Sequence, residues 1–290
     1  IIRWGMCPRV LKWTSSKLLE GRKVAMATVI SATGSVPGKP GARIAITELD
    51  EIFGTIGGAG LEFKVINKLK QLIINGHIGG VIETFALNKG AKGYEIVALD
   101  SLCGGKVTIS MEVVSPMPHI LLFGGGHVAK AIISIIEQIG WNYSIHDTRK
   151  EYSNEVDFPL GIELHCNNVN EFLNNENKQS LQRFSDLLLL GHDWKEDEDR
   201  LIGLLEILKG SKILKPRIGV IGSKSKWKSF ERKALEMNIK QEHLDQVICP
   251  IGLNIGAQSP EEIAISVCAQ IISEIKEQDP LEQNWRNQSK

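Results

Sequence analysis

The sequence predicts an α/β protein in two parts: a C-terminal parallel sheet with helices on both faces, preceded by a smaller mixed α+β domain. Three observations predict it. From residue 119 onward, short apolar strands alternate with helical patterns, which calls for right-handed crossovers and a parallel sheet. A glycine-rich turn, Gly124-Gly125-Gly126-His127-Val128-Ala129, falls between an apolar strand and an apolar helix. Before residue 115, glycine- and proline-rich loops join strands that lack this alternation with helices.

In the first part, residues 10–19 have the pattern of a short amphipathic helix, which Glu20-Gly21 ends before an apolar strand at 24–30. A loop at 33–41 leads to a second strand at 42–46, giving a hairpin-like pair with an oversized tip. A third strand is expected at 52–56. The glycine turn Gly57-Gly58-Ala59-Gly60 then opens a helix whose apolar residues Leu61, Val65, Leu69 and Leu72 recur until Asn75-Gly76. Val107, Ile109, Met111 and Val113 alternate with polar residues, the mark of a half-buried strand. Pro116 and Pro118 resist both helix and central strand, so the boundaries are set at 6–114, a linker at 115–118, a second domain at 119–278 and a polar tail at 279–290.

In the second domain, strands are expected at 119–123, 141–146, 162–165, 186–190 and 217–221, with helices at 127–139 and 201–208. The last helix has Ser259 as N-cap, Pro260 at the first helical position and Glu262 placed for a capping box. Its stripe of Ile263, Val267, Ile271 and Ile275 should dock on the sheet.

The turn after the first of these strands makes the domain Rossmann-like. Gly124 suits the tight turn, Gly126 a close approach of backbone to pyrophosphate, and Ala129 close packing of helix on strand. Gly125, His127 and Val128 complete the loop, with His127 read as a loop residue rather than a catalyst. An acidic residue should follow about 20 residues later, and Asp147 is the candidate for the ribose hydroxyls. Arg149 is the candidate for a 2′-phosphate, so NAD and NADP are both open.

Further groups have chemical potential. His192 follows a strand whose carboxyl end should line the ligand crevice. Gly222, Ser223 and Lys224 form a second strand-to-helix turn, either an anion site or a plain cap. In the first domain, Arg43 with the Gly57-Gly58 turn suggests a phosphate site, and Cys103, followed by two glycines, is the thiol most open to a ligand. Cys166 and Cys268, in apolar surroundings on a predicted strand and helix, read as core.

Bulk properties narrow the classes. The 290 residues suit two domains, and 42% hydrophobic with 23% charged residues is an ordinary folded composition. With 34 basic and 34 acidic residues there is no broad field to collect nucleic acid or an anionic membrane. The absence of a long apolar run and of a signal-like start gives the expectation of a cytoplasmic protein. The five scattered cysteines lack zinc or redox spacing.

Taken together, Gly34-Ser35 with Pro37, Pro40-Gly41-Ala42-Arg43, Cys103-Gly104-Gly105, the Gly124 loop, Ile221-Gly222-Ser223-Lys224 and Cys249-Pro250-Ile251-Gly252-Leu253 carry a resemblance. The sequence resembles, over nearly its whole length, the XdhC-type family of xanthine dehydrogenase accessory and carbon monoxide dehydrogenase maturation factors. The resemblance implies an accessory protein, not an enzyme in the strict sense. It would bind molybdenum cofactor, support its sulfuration with a cysteine desulfurase and deliver it to a molybdenum hydroxylase apoenzyme. It also implies a homodimer, with Cys103 as the contact to the cofactor or its molybdenum. The competing reading from the residues is an NAD(P)-dependent oxidoreductase with its substrate between the domains, near His192 and Cys103.

Overall fold

The computed structural model describes residues 6–76, 79–87, 96–98, 104–210 and 215–280. The chain divides into two compact units between Met117 and Pro118.

The first unit comprises α1 (Met6–Leu19), β1 (Val24–Gly34), β2 (Arg43–Thr47), β3 (Ile52–Thr55), α2 (Ala59–Ile74), β4 (Gly80–Ala86), β5 (Ile96–Ala98) and β6 (Gly105–Val114). Among the described residues they form a six-stranded sheet of order β3-β2-β1-β6-β4-β5. β1 and β2 pair antiparallel, as their hairpin pattern suggested. Alternate residues of β1 face opposite ways: Ala25, Ala27 and Val29 pack with Leu61, Val65 and Leu69 of α2, while Val24 and Met26 pack with Val10 of α1. The two helices therefore cover opposite faces. Each fully buried leucine or valine of α2 contributes roughly 1.5–3 kcal/mol, so packing rather than helix propensity holds the helix there. β4 and β5 have no counterpart in the elements expected from sequence. β4 alternates poorly, with Ile82 exposed between half-buried neighbours, and so lacks a clean period-2 signal.

The second unit comprises β7 (His119–Phe123), α3 (His127–Gln138), β8 (Asn142–His146), β9 (Leu164–His165), α4 (Val169–Asn175), β10 (Asp186–Leu189), α5 (Trp194–Ile207), β11 (Arg217–Val220), α6 (Lys224–Glu236), α7 (Gln241–Leu244) and α8 (Pro260–Lys276). Its five strands run parallel in the order β11-β10-β7-β8-β9. β7 is buried along its whole length: Ile120 and Leu122 pack under α3 and α8, Leu121 and Phe123 under α4, α5 and α6. The expected parallel sheet with helices on both faces is the observed one.

The capping box of α8 is present in both halves, Ser259 accepting from the Glu262 N–H and Glu262 accepting from the Ser259 N–H. Its docked face is Ala264, Val267, Cys268 and Ile271, whereas Ile275, one turn beyond Ile271 near the end of the helix, is exposed. The expected strand at 162–165 is only the two-residue edge β9. Cys166 follows that edge and is exposed, which corrects its reading as core, while Cys268 is buried as expected. No described helix is long and apolar enough to cross a membrane.

Candidate functional site

The strand order reverses at β7: β8 and β9 extend the sheet to one side, β10 and β11 to the other. A crevice must open where the connections leave β7 and β10 in opposite directions. It holds a cavity of about 400 Å³ lined by Gly124, Gly126, His127, Val128, Ala129, Arg149, Tyr152, Leu190, His192 and Pro260. That is within the roughly 300–1,000 Å³ usual for small-molecule sites.

The three glycines of the loop have different reasons for being glycine. Gly124 sits at φ +108°, and a Cβ there would lie 3.1 Å from Gly191 Cα. At Gly125 a Cβ would come within 1.9 Å of the Tyr152 carbonyl oxygen. Gly126 has ordinary dihedrals, φ −75° and ψ −164°, and no atom within 4 Å of where its Cβ would stand. The fold does not require glycine at Gly126, and the open space beside it leaves the backbone accessible from the cavity. α3 also opens without a side-chain cap, whereas α5, α6 and α8 are capped by Asp193, Ser223 and Ser259. Its first N–H groups face the cavity end of the helix with their positive potential uncompensated. These features fit the pyrophosphate of a dinucleotide.

The loop is anchored from β8. Gly124 N–H donates to the His146 carbonyl at 2.9 Å and Gly125 N–H to Asp147 Oδ2 at 3.0 Å. Asp147 also accepts from Arg149: the backbone N–H and Nε–H donate to Oδ1, each at 3.0 Å, and Nη2–H to Oδ2 at 2.9 Å. An ionised carboxylate offers about four lone-pair sites, and all are taken. Burial opposes ionisation of Asp147, yet the Arg149 and Gly125 hydrogen bonds outweigh it and hold the carboxyl below its usual range. Asp147, expected to read a ribose, is 2% exposed, does not line the cavity and fixes the loop and Arg149. Arg149 does line the cavity, its guanidinium 3.8 Å from the Tyr152 ring centroid.

The opposite wall is Leu190–His192. His192 is exposed on the rim, as its place after β10 suggested. Beneath Gly191 lies a buried ionic cluster, where Asp197 accepts from Arg200 Nη1 at 3.1 Å and from Lys226 Nζ at 2.9 Å. A Cβ on Gly191 would meet Asp197 Oδ1 at 2.4 Å, so this cluster seats the turn directly. The i,i+3 spacing of Asp197 and Arg200 is a visible signal that the sequence expectations did not use. Tyr152 and Pro260 had none.

Gly222, Ser223 and Lys224 do not join this site. They line a separate cavity of about 180 Å³ with Trp227, Lys228, Glu231, Cys249 and Pro250. Ser223 caps α6 by accepting from the Lys226 N–H, which is the plainer of its two readings. In the first unit, Gly57 and Gly58 adopt φ +82° and +86° and pack against Pro37, reasons internal to the fold. The N–H groups of Ile56 and Gly57 donate to Glu62 Oε1 at 3.2 and 3.0 Å, so a carboxylate of the chain already satisfies these two donors, while the start of α2 has no side-chain cap. Arg43 Nε–H donates to Thr28 Oγ1 at 3.2 Å. Cys103 lies outside the described residues.

The XdhC Rossmann-domain family matches residues 120–271, more than half of the chain, and the XdhC and CoxI family matches residues 18–85. The chain belongs to the XdhC family. A relative described as the uncharacterized protein YqeB, from Escherichia coli K12, is 29% identical over 251 residues, 86% of this chain and 43% of that protein. A probable xanthine dehydrogenase subunit from Bacillus subtilis 168 is 26% identical over 167 residues, 56% of this chain and 44% of that protein. This XdhC chain thus spans less than half the length of either relative. A crystal structure from Bacillus halodurans, described as a xanthine dehydrogenase, aligns with a TM-score of 0.46 at 20% identity, covering 96% of this chain and 98% of that one.

Two buried histidines give the XdhC Rossmann unit a pH dependence. His146, whose carbonyl holds Gly124, is fully buried against Phe123 and Phe172, and His119 is buried against Phe184. Burial chiefly pushes both from the ordinary 6.5 down to about 4, helped by Arg200 at His146, and at His119 opposed by Glu163 and helped less by Arg183. Between these values the unfolded chain binds protons that the native chain does not, so stability is complete above pH 6.5 and falls as pH drops toward about 4. The slope is at most about 1.4 kcal/mol per pH unit for each histidine. Urea midpoints at about pH 7.5 and about pH 5 should differ in that direction.

Proposed function

We propose that this chain is an accessory protein for a xanthine dehydrogenase-type molybdenum hydroxylase, and that its Rossmann unit binds an NAD(P)-type dinucleotide. Membership of the XdhC family and the xanthine dehydrogenase name of the Bacillus subtilis relative support the first part. The second is carried by one observation: Gly126 and the uncapped start of α3 border the crevice at the strand-order reversal, with no side chain filling the space.

In this reading the α3 N–H groups bind the pyrophosphate, Arg149 and Tyr152 orient the adenosine end, and Pro260 and Leu190 exclude water from the apolar walls. A nicotinamide dinucleotide bound there would supply hydride exchange. The support of cofactor sulfuration and insertion, a cysteine desulfurase partner, a homodimer and a molybdenum-cofactor contact at Cys103 belong to the same proposal and rest on the family alone. The position of His192 on the rim favours, as a second reading, an oxidoreductase that uses it as acid or base.

The test pairs cells with biochemistry. Cells lacking the chain should accumulate inactive molybdenum hydroxylase, restored by the wild type. The His192→Ala variant should restore it equally if the role is accessory, and fail if His192 does chemistry. Full hydroxylase activity in cells lacking the chain would refute the accessory role.

A further inference from the structure

We infer that the Rossmann unit selects a 2′-phosphorylated dinucleotide over its unphosphorylated counterpart, with Arg149 as the residue that sets the preference. The inference rests on the dinucleotide reading above and specifies its adenosine end.

In this fold the residues just after the second strand read the adenosine ribose: a carboxylate with unused acceptors takes free hydroxyls, and an arginine accommodates a 2′-phosphate. Here the carboxylate of Asp147 has no acceptor to offer. Its four hydrogen bonds, one from Gly125 and three from Arg149, match its four lone-pair sites. A ribose hydroxyl could reach Asp147 only by displacing one of these donors. Displacing Gly125 would release the loop that forms the pocket, and displacing Arg149 would leave a buried carboxylate without its cation.

Arg149 is disposed the other way. It lines the cavity and is held from two sides, by the ion pair to Asp147 at 2.9 Å and by the Tyr152 ring at 3.8 Å. The two side-chain bonds to Asp147 use two of the five guanidinium N–H donors. The remaining three sit on a planar group whose orientation is already fixed, so a phosphate gains forked hydrogen bonds without the entropy cost of ordering the side chain. Because Asp147 neutralises much of the arginine's charge, recognition depends on this fork more than on net charge. A lysine at the same position should serve poorly.

Calorimetric titration of the full chain with NADP+ and NAD+, with 2′-AMP and 5′-AMP as competitors, tests this. The wild type should bind NADP+ at least about tenfold more tightly, and 2′-AMP should be the better competitor. Arg149→Lys, which keeps a cation beside Asp147, should bring the NADP+ to NAD+ ratio within about threefold. Equal affinity of the wild type for both nucleotides would overturn the selectivity and leave the dinucleotide site standing. Binding of neither would overturn both. A ratio unchanged in Arg149→Lys would remove Arg149 from the account, and if that variant does not fold, the wild-type ratio and the 2′-AMP competition still decide.

Discussion

Gly126→Ala is expected to weaken dinucleotide binding by at least about a hundredfold, or about 2.7 kcal/mol, while changing folding stability by no more than about 1 kcal/mol. The two effects separate because the added methyl meets no protein atom within 4 Å and the backbone dihedrals already suit alanine. In the proposed complex the methyl would stand where backbone and pyrophosphate touch. Its neighbour supplies the contrast. Gly125→Ala would drive a Cβ to 1.9 Å from the Tyr152 carbonyl oxygen, and relief requires moving the loop or the turn that carries Arg149. That variant should lose more than about 3 kcal/mol of stability along with binding. Urea denaturation read beside calorimetric titration checks both, and equal losses of stability in the two variants would show that Gly126 is glycine for the sake of the fold.

Asp197→Ala is expected to cost about 3–5 kcal/mol, because it removes the partner that two cations share in the interior. Asp197 is fully buried and accepts from Arg200 and Lys226, and among the described residues Arg200, itself 1% exposed, keeps only Glu196 as an ion-pair partner once Asp197 is gone. Among the described residues Arg200 Nε has no hydrogen-bond partner even in the intact protein, so little slack remains. Because Asp197 also underlies Gly191, the loss should reach the Leu190–His192 wall and weaken binding. The Asp197→Leu, Arg200→Met double variant should recover part of the stability, since it removes the buried guanidinium together with its carboxylate and leaves only the less buried Lys226 without that partner. Urea unfolding of Asp197→Leu, Arg200→Met and the double variant gives the coupling directly.

The parts of this protein legible in the sequence are those fixed by local chemistry. The α8 capping box needs only Ser259, Pro260 and Glu262 in order, and the buried strand β7 followed by its glycine turn declares a parallel sheet with a ligand crevice. What stayed hidden depends on who meets whom across the fold. Asp147 has the spacing of a ribose-binding acid, but its oxygens are claimed by Gly125, brought from the adjacent strand, and by Arg149 folding back on it. Gly57 and Gly58 have the composition of an anion cradle, yet Glu62 reaches back from the first turn of α2 to take two N–H donors of the turn. Cys166 was expected inside from the apolar character of its neighbours, but it follows β9, a two-residue strand at the edge of the sheet, and is exposed. Glycine composition marked the loop that lines the cavity. The separation of its glycines into two the fold needs and one it does not came only from the neighbours of each absent Cβ.

Binding of a dinucleotide at the start of α3 is tested most directly, and at residue level, by amide hydrogen exchange of the full chain with and without saturating NADP+. Binding should slow exchange at Gly126, His127 and Val128 and leave the start of α6, at Ser225 and Lys226, unchanged. Unaltered exchange at the α3 start, or protection confined to α6, would contradict it.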